Sequence, residues 1–334
     1  MNEKVLLDPH FRRLDNIFYA DDLRHLSALC DLLWARDEPM PDAAIDDVCD
    51  EVVAIICGRW RYGNVARFPR LRAIIEVGGG HPSPQDLNYA HCFKNSIRVL
   101  SCAPAFGPAV AEMGLGLALA AARQIPHTDA AIRAGSANWS HTEPGDTFTL
   151  YEKPVGFIGF GGLARYLQPL LAPFRCPIRA FDPWLTDAYL KSQNVEPASL
   201  EQVLGDCRFV FVLAVPSADN RALIDRAQLE KLRRDAVFIL LSRAHVVDFE
   251  ALTDLLSAGR FRAAIDVYPQ EPFPGTHRLC RLPNVVLSSH RAGAIDEALR
   301  RIGRLVTRDM EAILKGLPPQ ELQAAHPEFI RMRG

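Results

Sequence analysis

Gly159, Gly161 and Ala164 stand in the run Pro154-Val-Gly-Phe-Ile-Gly-Phe-Gly-Gly-Leu-Ala164, where a short aliphatic segment meets a G-x-G-x-x-A turn and then a helix-forming stretch. That spacing suits a dinucleotide. Gly159 permits the tight turn, Gly161 lets the backbone approach a pyrophosphate, and small Ala164 lets the helix pack on the strand with its N-terminus toward the anion. Gly162 and Leu163 supply the intervening backbone. The next aliphatic run ends in Asp182, twenty-one residues after Gly161, where a carboxylate can accept from both adenosine ribose hydroxyls. A glycine-rich structural turn is the plain alternative for the motif alone, and strand, turn, helix and acid together favour the dinucleotide. An acid at 182 disfavours a 2′-phosphate, so NAD is expected over NADP, with Arg179 as the cation that could soften this preference.

Three further segments lie beyond that turn at the ends of aliphatic runs, where an open α/β sheet binds its ligands. They are Leu241-Ser-Arg243-Ala-His-Val-Val-Asp248, Asp266-Val-Tyr-Pro-Gln-Glu271-Pro272 and Ser288-Ser-His290-Arg291-Ala-Gly293. Singly, Arg243 reads as a surface cation, Glu271 as a turn carboxylate and His290 as a core or capping histidine. In this order and after a dinucleotide turn, they are far more specific.

The elements that must hold these residues are legible as aliphatic runs. Lys4–Leu7, Val52–Ile56 and 73–77 alternate with helical stretches such as Ala20–Arg36; Val155–Ile158, Ile178–Phe181, Phe209–Val215, Val237–Leu241, Ala263–Ile265 and Val285–Leu287 do so again. Strand and helix alternation implies parallel sheets covered on both faces, here two doubly wound α/β domains. Between them, Pro108–Ile125 reads as a long buried helix whose two glycines imply close packing, followed by a turn-rich stretch from Ala134 to Gly145. Asp296–Lys315 reads as an amphipathic helix with Arg300, Arg301, Arg304 and Arg308 on its polar side.

The 334 residues suffice for about two domains. With 49% hydrophobic and 23% charged residues the chain is globular, and 38 basic against 40 acidic residues give no basic field for nucleic acid or an anionic membrane. Small-molecule chemistry is therefore favoured. Eight scattered cysteines without a C-x-x-C pair argue against a metal site or disulfide framework and for reduced thiols. The first twenty residues lack an apolar h-region and Met113–Ala122 is far too short to span a bilayer, so a cytoplasmic protein with no membrane partner is expected.

The chain resembles the D-isomer-specific 2-hydroxyacid dehydrogenases, such as phosphoglycerate, glycerate and D-lactate dehydrogenases. The likeness rests on GFIGFGGLA with Asp182-Pro183, SRAHVVD, DVYPQEP, SSHRAG, the PAFGPAVAE helix start and Trp139. It implies a Rossmann NAD-binding domain, 105–294, inserted in a flavodoxin-like substrate-binding domain formed by 1–104 and 295–334, with hinges near Pro104 and Ala294. It also implies a catalytic set of Arg243, Glu271 and His290, and Asp266 at the nicotinamide carboxamide. The Pro216 loop and Gly293 fall on the cofactor side, Gly79 and Gly80 donate amides to the substrate carboxylate, and the assembly is a homodimer.

Chemically, Arg243 would grip a 2-keto acid's carboxylate and polarise its keto oxygen, and His290 would donate or remove the proton. Glu271 would fix the ring's tautomer and favour its charged form. Departures from the family pattern are Ala244 for glycine, Ser288-Ser289 for Thr-Pro, Gly78–Pro84 for a G-x-G-x-D loop, and a Pro216–Asn220 loop one residue shorter. Arg291, with Arg59, Trp60 and His81, would shape an atypical substrate pocket, or else pair with a surface carboxylate. Two other functions compete: an NAD-sensing, corepressor-like binding protein on the same scaffold, and a methyltransferase that would not need the Arg, Glu and His set.

Overall fold

The structure is a computed structural model that describes residues 2–137, 139, 146–214 and 221–331. The chain divides into two compact units, Met1–Gly107 with Gly293–Gly334, and Pro108–Ala292. The first unit begins with β1 (Lys4–Asp8), β2 (Asp31–Trp34), β3 (Val52–Cys57), β4 (Ala73–Glu76) and β5 (Arg98–Ser101). The second contains β6 (Val155–Ile158), β7 (Ile178–Phe181), β8 (Glu196–Pro197), β9 (Phe209–Val212), β10 (Val237–Leu240), β11 (Arg262–Ile265) and β12 (Val285–Leu287). The chain then returns to the first unit in β13 (Gln323–Ala324).

In the first unit the strand order is β13-β5-β4-β3-β1-β2, parallel except where β13 runs antiparallel to β5. Alternation of side chains splits its core between the two faces. Val5, Leu7, Ala73 and Ile75 lie in one cluster, and Leu6, Ile55 and Ile74 in the other. The helix Asp296–Leu314 joins the first cluster through Ile302, Leu305, Val306, Met310 and Ile313. Its buried Asp309 accepts from the amides of Gln320, Glu321 and Leu322 and so holds the return toward β13. Arg304 and Arg308 occupy the exposed side, while Arg300 and Arg301 are half-buried.

The second unit has the order β12-β11-β10-β9-β6-β7-β8, and the pairs along it are parallel. β6, β9 and β10 are buried throughout, as continuous aliphatic runs in a sheet covered on both faces should be. The α/β class with two parallel-sheet bodies is thus the one expected.

Several elements differ from expectation. The helix Ala20–Leu29 stops at Cys30, and Asp31–Trp34 instead pairs with β1 as an edge strand. Pairing geometry there overrides the helix propensity of the two leucines. The long helix runs Gly107–Ala122, then left-handed Gln124 (φ 50°) redirects the chain into a second helix, Ile125–Arg133. Only one of its inner glycines is packed: a Cβ at Gly114 would stand 2.7 Å from Leu241, whereas Gly116 faces open space. Part of the turn-rich stretch after Ala134, and Val215, lie outside the described residues. Among the described residues, no helix is long and apolar enough to cross a membrane.

Candidate active site

In the second unit, β6 ends at Ile158 and Gly159 takes φ 91°, a conformation that branched side chains resist. A Cβ there would also lie 2.7 Å from Ala214 Cα. Gly161 and Gly162 instead have open space where a Cβ would stand, at the start of the helix Gly162–Leu171, so a pyrophosphate can approach their amides. Ala164 is fully buried against the sheet and Leu163 is half-buried. Asp182, just past β7, accepts from Phe160 N–H at 2.8 Å and from Trp184 N–H at 3.0 Å, which fixes its carboxylate beside the turn. These residues fit an adenine dinucleotide. Arg179 pairs with Asp206 at 2.5 Å.

The three strand-end segments follow β10, β11 and β12, which are neighbours in the sheet. His290 Nδ1 lies 2.7 Å from Glu271 Oε2, and Glu271 Oε1 accepts from Tyr268 N–H at 3.1 Å. Burial pushes the Glu271 carboxyl up, but the bonds from His290 and Tyr268 and the charges of His290 and Arg243 outweigh it and hold it below the usual carboxylate range. Arg243 is exposed, donates from Nη1 to Ser242 O at 2.7 Å and makes no ion pair with a described residue. Ser242 Oγ, immediately before it, is buried without a partner among the described residues. Nearby His245 is pushed down by burial and then by the charges of Arg243 and Arg221, which disfavours it as a competing proton donor.

Asp266 is 1% exposed and accepts from Arg291 N–H at 3.0 Å and Ala292 N–H at 3.2 Å. It thereby holds the turn in which His290 adopts φ 53°. The Arg291 side chain is exposed and forms no ion pair with a described residue. Tyr268 was not singled out from the sequence, although it lies two residues after Asp266. Its hydroxyl donates to Ser288 O at 2.7 Å and ties β11 to the histidine segment. Burial, then Asp266, pushes that hydroxyl's pKa up, so it stays protonated.

In the first unit, Gly79 takes φ 88°, and a Cβ there would meet the Phe106 ring at 2.8 Å. Gly79 and Gly80 are half-buried, and their amides donate to no described protein acceptor. Arg12 and Arg59 lie over the Phe11 ring at 5.1 and 5.2 Å, and Phe11 reaches toward Gly78, where a Cβ would be 3.4 Å from its Cζ. Arg12 Nε is buried without a partner among the described residues, a feature with no advance signal in the sequence. Two residues expected around a pocket are core residues instead. Trp60 is 5% exposed, donates to Gly63 O at 3.0 Å and packs edge-on against Tyr62 and Phe68. His81 is equally buried, with Nε2 2.9 Å from Gln323 O. Gly293 falls at the boundary of the two units, and Pro216 lies outside the described residues.

The family model for the D-isomer specific 2-hydroxyacid dehydrogenase, NAD binding domain, matches residues 115–292. A glyoxylate reductase of Thermofilum pendens is 32% identical over 276 residues, 79% of this chain and 78% of that protein. One from Korarchaeum cryptofilum is 27% identical over 308 residues, 90% and 91% of the respective chains. Among solved structures, a phosphoglycerate oxidoreductase from Rhizobium etli is 36% identical with a TM-score of 0.85, covering 97% of this chain and 98% of its own.

Proposed function

The chain belongs to the D-isomer specific 2-hydroxyacid dehydrogenases, NAD-dependent oxidoreductases, and on that premise we propose that it interconverts a 2-keto acid and a D-2-hydroxy acid with His290 as the acid and base. The observation that carries the reading is the 2.7 Å contact between His290 Nδ1 and Glu271 Oε2. With Nδ1 committed to an ionised Glu271, Nε2 is the nitrogen that hands its proton to the carbonyl oxygen. In the reverse direction the neutral ring takes up the hydroxyl proton. Arg243, with a planar fork and no ion pair to a described residue, binds the substrate carboxylate and stabilises charge developing on the keto oxygen.

NADH, when bound, supplies the hydride. The amides around Gly159, Gly161, Gly162 and Leu163 would hold its pyrophosphate and Asp182 its ribose. By family resemblance, Asp266, Gly293 and the Pro216 loop serve the nicotinamide side. On this reading, residues 105–294 form the cofactor domain, 1–104 and 295–334 the substrate domain, and the protein is a homodimer. In the first unit the amides of Gly79 and Gly80 serve as carboxylate donors. Arg12 and Arg59 beside that turn favour keto acids with a second negative charge over those with neutral tails.

The test is NADH oxidation against glyoxylate, hydroxypyruvate, phosphohydroxypyruvate, pyruvate and an aryl pyruvate. Turnover of at least one is expected, with the phosphorylated acid ahead of hydroxypyruvate. NADH binding without turnover of any 2-keto acid would sink the enzymatic reading and leave the NAD-sensing one.

A further inference from the structure

Arg208, Arg234 and Arg262, with Asp146, Asp235 and the Phe148 ring, line a cavity of about 560 Å³ in the second unit. Its place in the sheet separates it from the site above. Arg208 immediately precedes β9, Arg262 opens β11 and Asn284 immediately precedes β12, so the cavity lies at the amino ends of parallel strands. Gly159, Asp182, Arg243, Asp266 and the His290 turn all follow carboxyl ends.

The guanidinium groups are only partly matched. Arg208 and Arg262 stack on Phe148, with Cζ 3.8 and 5.2 Å from the ring centre. Arg262 is largely committed within the protein: it donates to Ala122 O at 3.0 Å, at the end of the helix Gly107–Ala122, and to Asp146 Oδ2 at 2.6 Å. Arg208 pairs with Asp235, but that carboxylate is shared with Arg233, which donates to it at 2.9 and 3.1 Å. Arg208 Nε remains buried with no acceptor among the described residues, a rare and costly state for a donor. Arg234 is exposed and makes no ion pair or hydrogen bond with a described residue. Three guanidinium groups against two carboxylates leave the lining net positive. Burial, and then Arg233 and Arg262 working against Asp235, hold the Arg208 pKa below its usual value, a strain that a nearby negative charge would relieve.

We propose that this cavity is a second binding site, taking a small organic anion through its phosphate or carboxylate group. Guanidinium forks match either group. The volume falls in the range of small-molecule sites and exceeds the needs of a bare ion, and Phe148, Phe261 and Pro283 offer apolar cover for the rest of the ligand.

The test is calorimetric titration of the full chain with pyrophosphate and, separately, citrate, under saturating NADH so that the glycine turn is occupied. One-to-one binding of at least one probe is expected, with Kd below about 1 mM at low salt. Pyrophosphate alone would assign a phosphorylated ligand and citrate alone a carboxylate. Arg234→Glu, at an exposed and unpaired position, should keep NADH binding and keto-acid turnover while weakening the probe at least about tenfold. Absence of saturable binding by either probe, or binding that Arg234→Glu changes less than about twofold, overturns the proposal.

Discussion

Glu271→Gln removes the charge that faces His290 at 2.7 Å while keeping the length of the side chain and an acceptor oxygen. The wild-type carboxyl is held below the usual carboxylate range, so it is ionised throughout an assay window of about pH 6 to 9. The carboxylate fixes the tautomer in which Nε2 handles the mobile proton, and it faces the positive charge that develops on the ring when the proposed base takes up the hydroxyl proton. Two unit charges about 4 Å apart attract by roughly 1 kcal/mol in water and about 4 kcal/mol at an effective dielectric of 20. The side chains here are 42% and 37% exposed, which places the pair toward the lower figure. Since about 1.4 kcal/mol is tenfold in rate, Glu271→Gln should lower kcat for oxidation of the 2-hydroxy acid by roughly five- to tenfold. Oxidation of the 2-deuterated acid would read this, with the isotope effect showing that hydride transfer limits the rate and fluorescence confirming that NADH binds. An unchanged kcat with a full isotope effect would refute Glu271 as the partner of the proposed catalytic ring.

Arg243→Lys keeps the charge but loses the fork, so kcat/KM for keto-acid reduction should fall at least about thirtyfold, roughly 2 kcal/mol of transition-state stabilisation, with NADH affinity unchanged. A loss below about threefold would remove Arg243 from its role. With Asp182 beside the glycine turn and Arg179 occupied by Asp206, NADH should exceed NADPH in kcat/KM by at least about tenfold; equal use would contradict the ribose role of Asp182. Asp266→Asn sets an amide donor against a backbone N–H in a buried place, at a cost of about 2 to 3 kcal/mol, so thermal unfolding should drop by roughly 5 to 10 °C and kcat should fall with it. An unchanged melting temperature would show that the histidine turn does not depend on this carboxylate.

The strands of the second unit were readable because both faces of its sheet are covered, which turns β6, β9 and β10 into uninterrupted aliphatic runs. Four strands escaped notice. β5 buries Val99 and Leu100, but a two-residue aliphatic run between Arg98 and Ser101 is too short to stand out; β8 is two residues long, β13 is Gln-Ala, and β2 begins with aspartate and contains two good helix formers. Their identity comes from partners distant in sequence, such as Leu100 for Ala324 and Val5 for Leu32. Trp60 and His81 failed as pocket residues for a related reason. Their types suit a ligand, but Gly63 O and Gln323 O take up their polar atoms, and neither partner is visible in residue type or spacing.

The motifs announced which residues gather but not which one aims the imidazole. His290 contacts Glu271, yet its turn is held by Asp266, which accepts the amides of the next two residues. Glu271 is itself held by Tyr268 N–H, and the Tyr268 hydroxyl reaches back to Ser288 O. Asp266, Tyr268 and Glu271 thus all come from one stretch of six residues after β11 and tie it to the segment after β12 at three points around the ring. This is why an Asp-x-Tyr-x-x-Glu spacing accompanies the histidine: alternate members clamp the backbone while the last meets the side chain. Arg243 stands outside that clamp, tethered among the described residues by the neighbouring Ser242 carbonyl. On the proposed reading the proton donor is thus the group fixed at several points, where misalignment would cost most, and the guanidinium is left available for a carboxylate that arrives with the substrate.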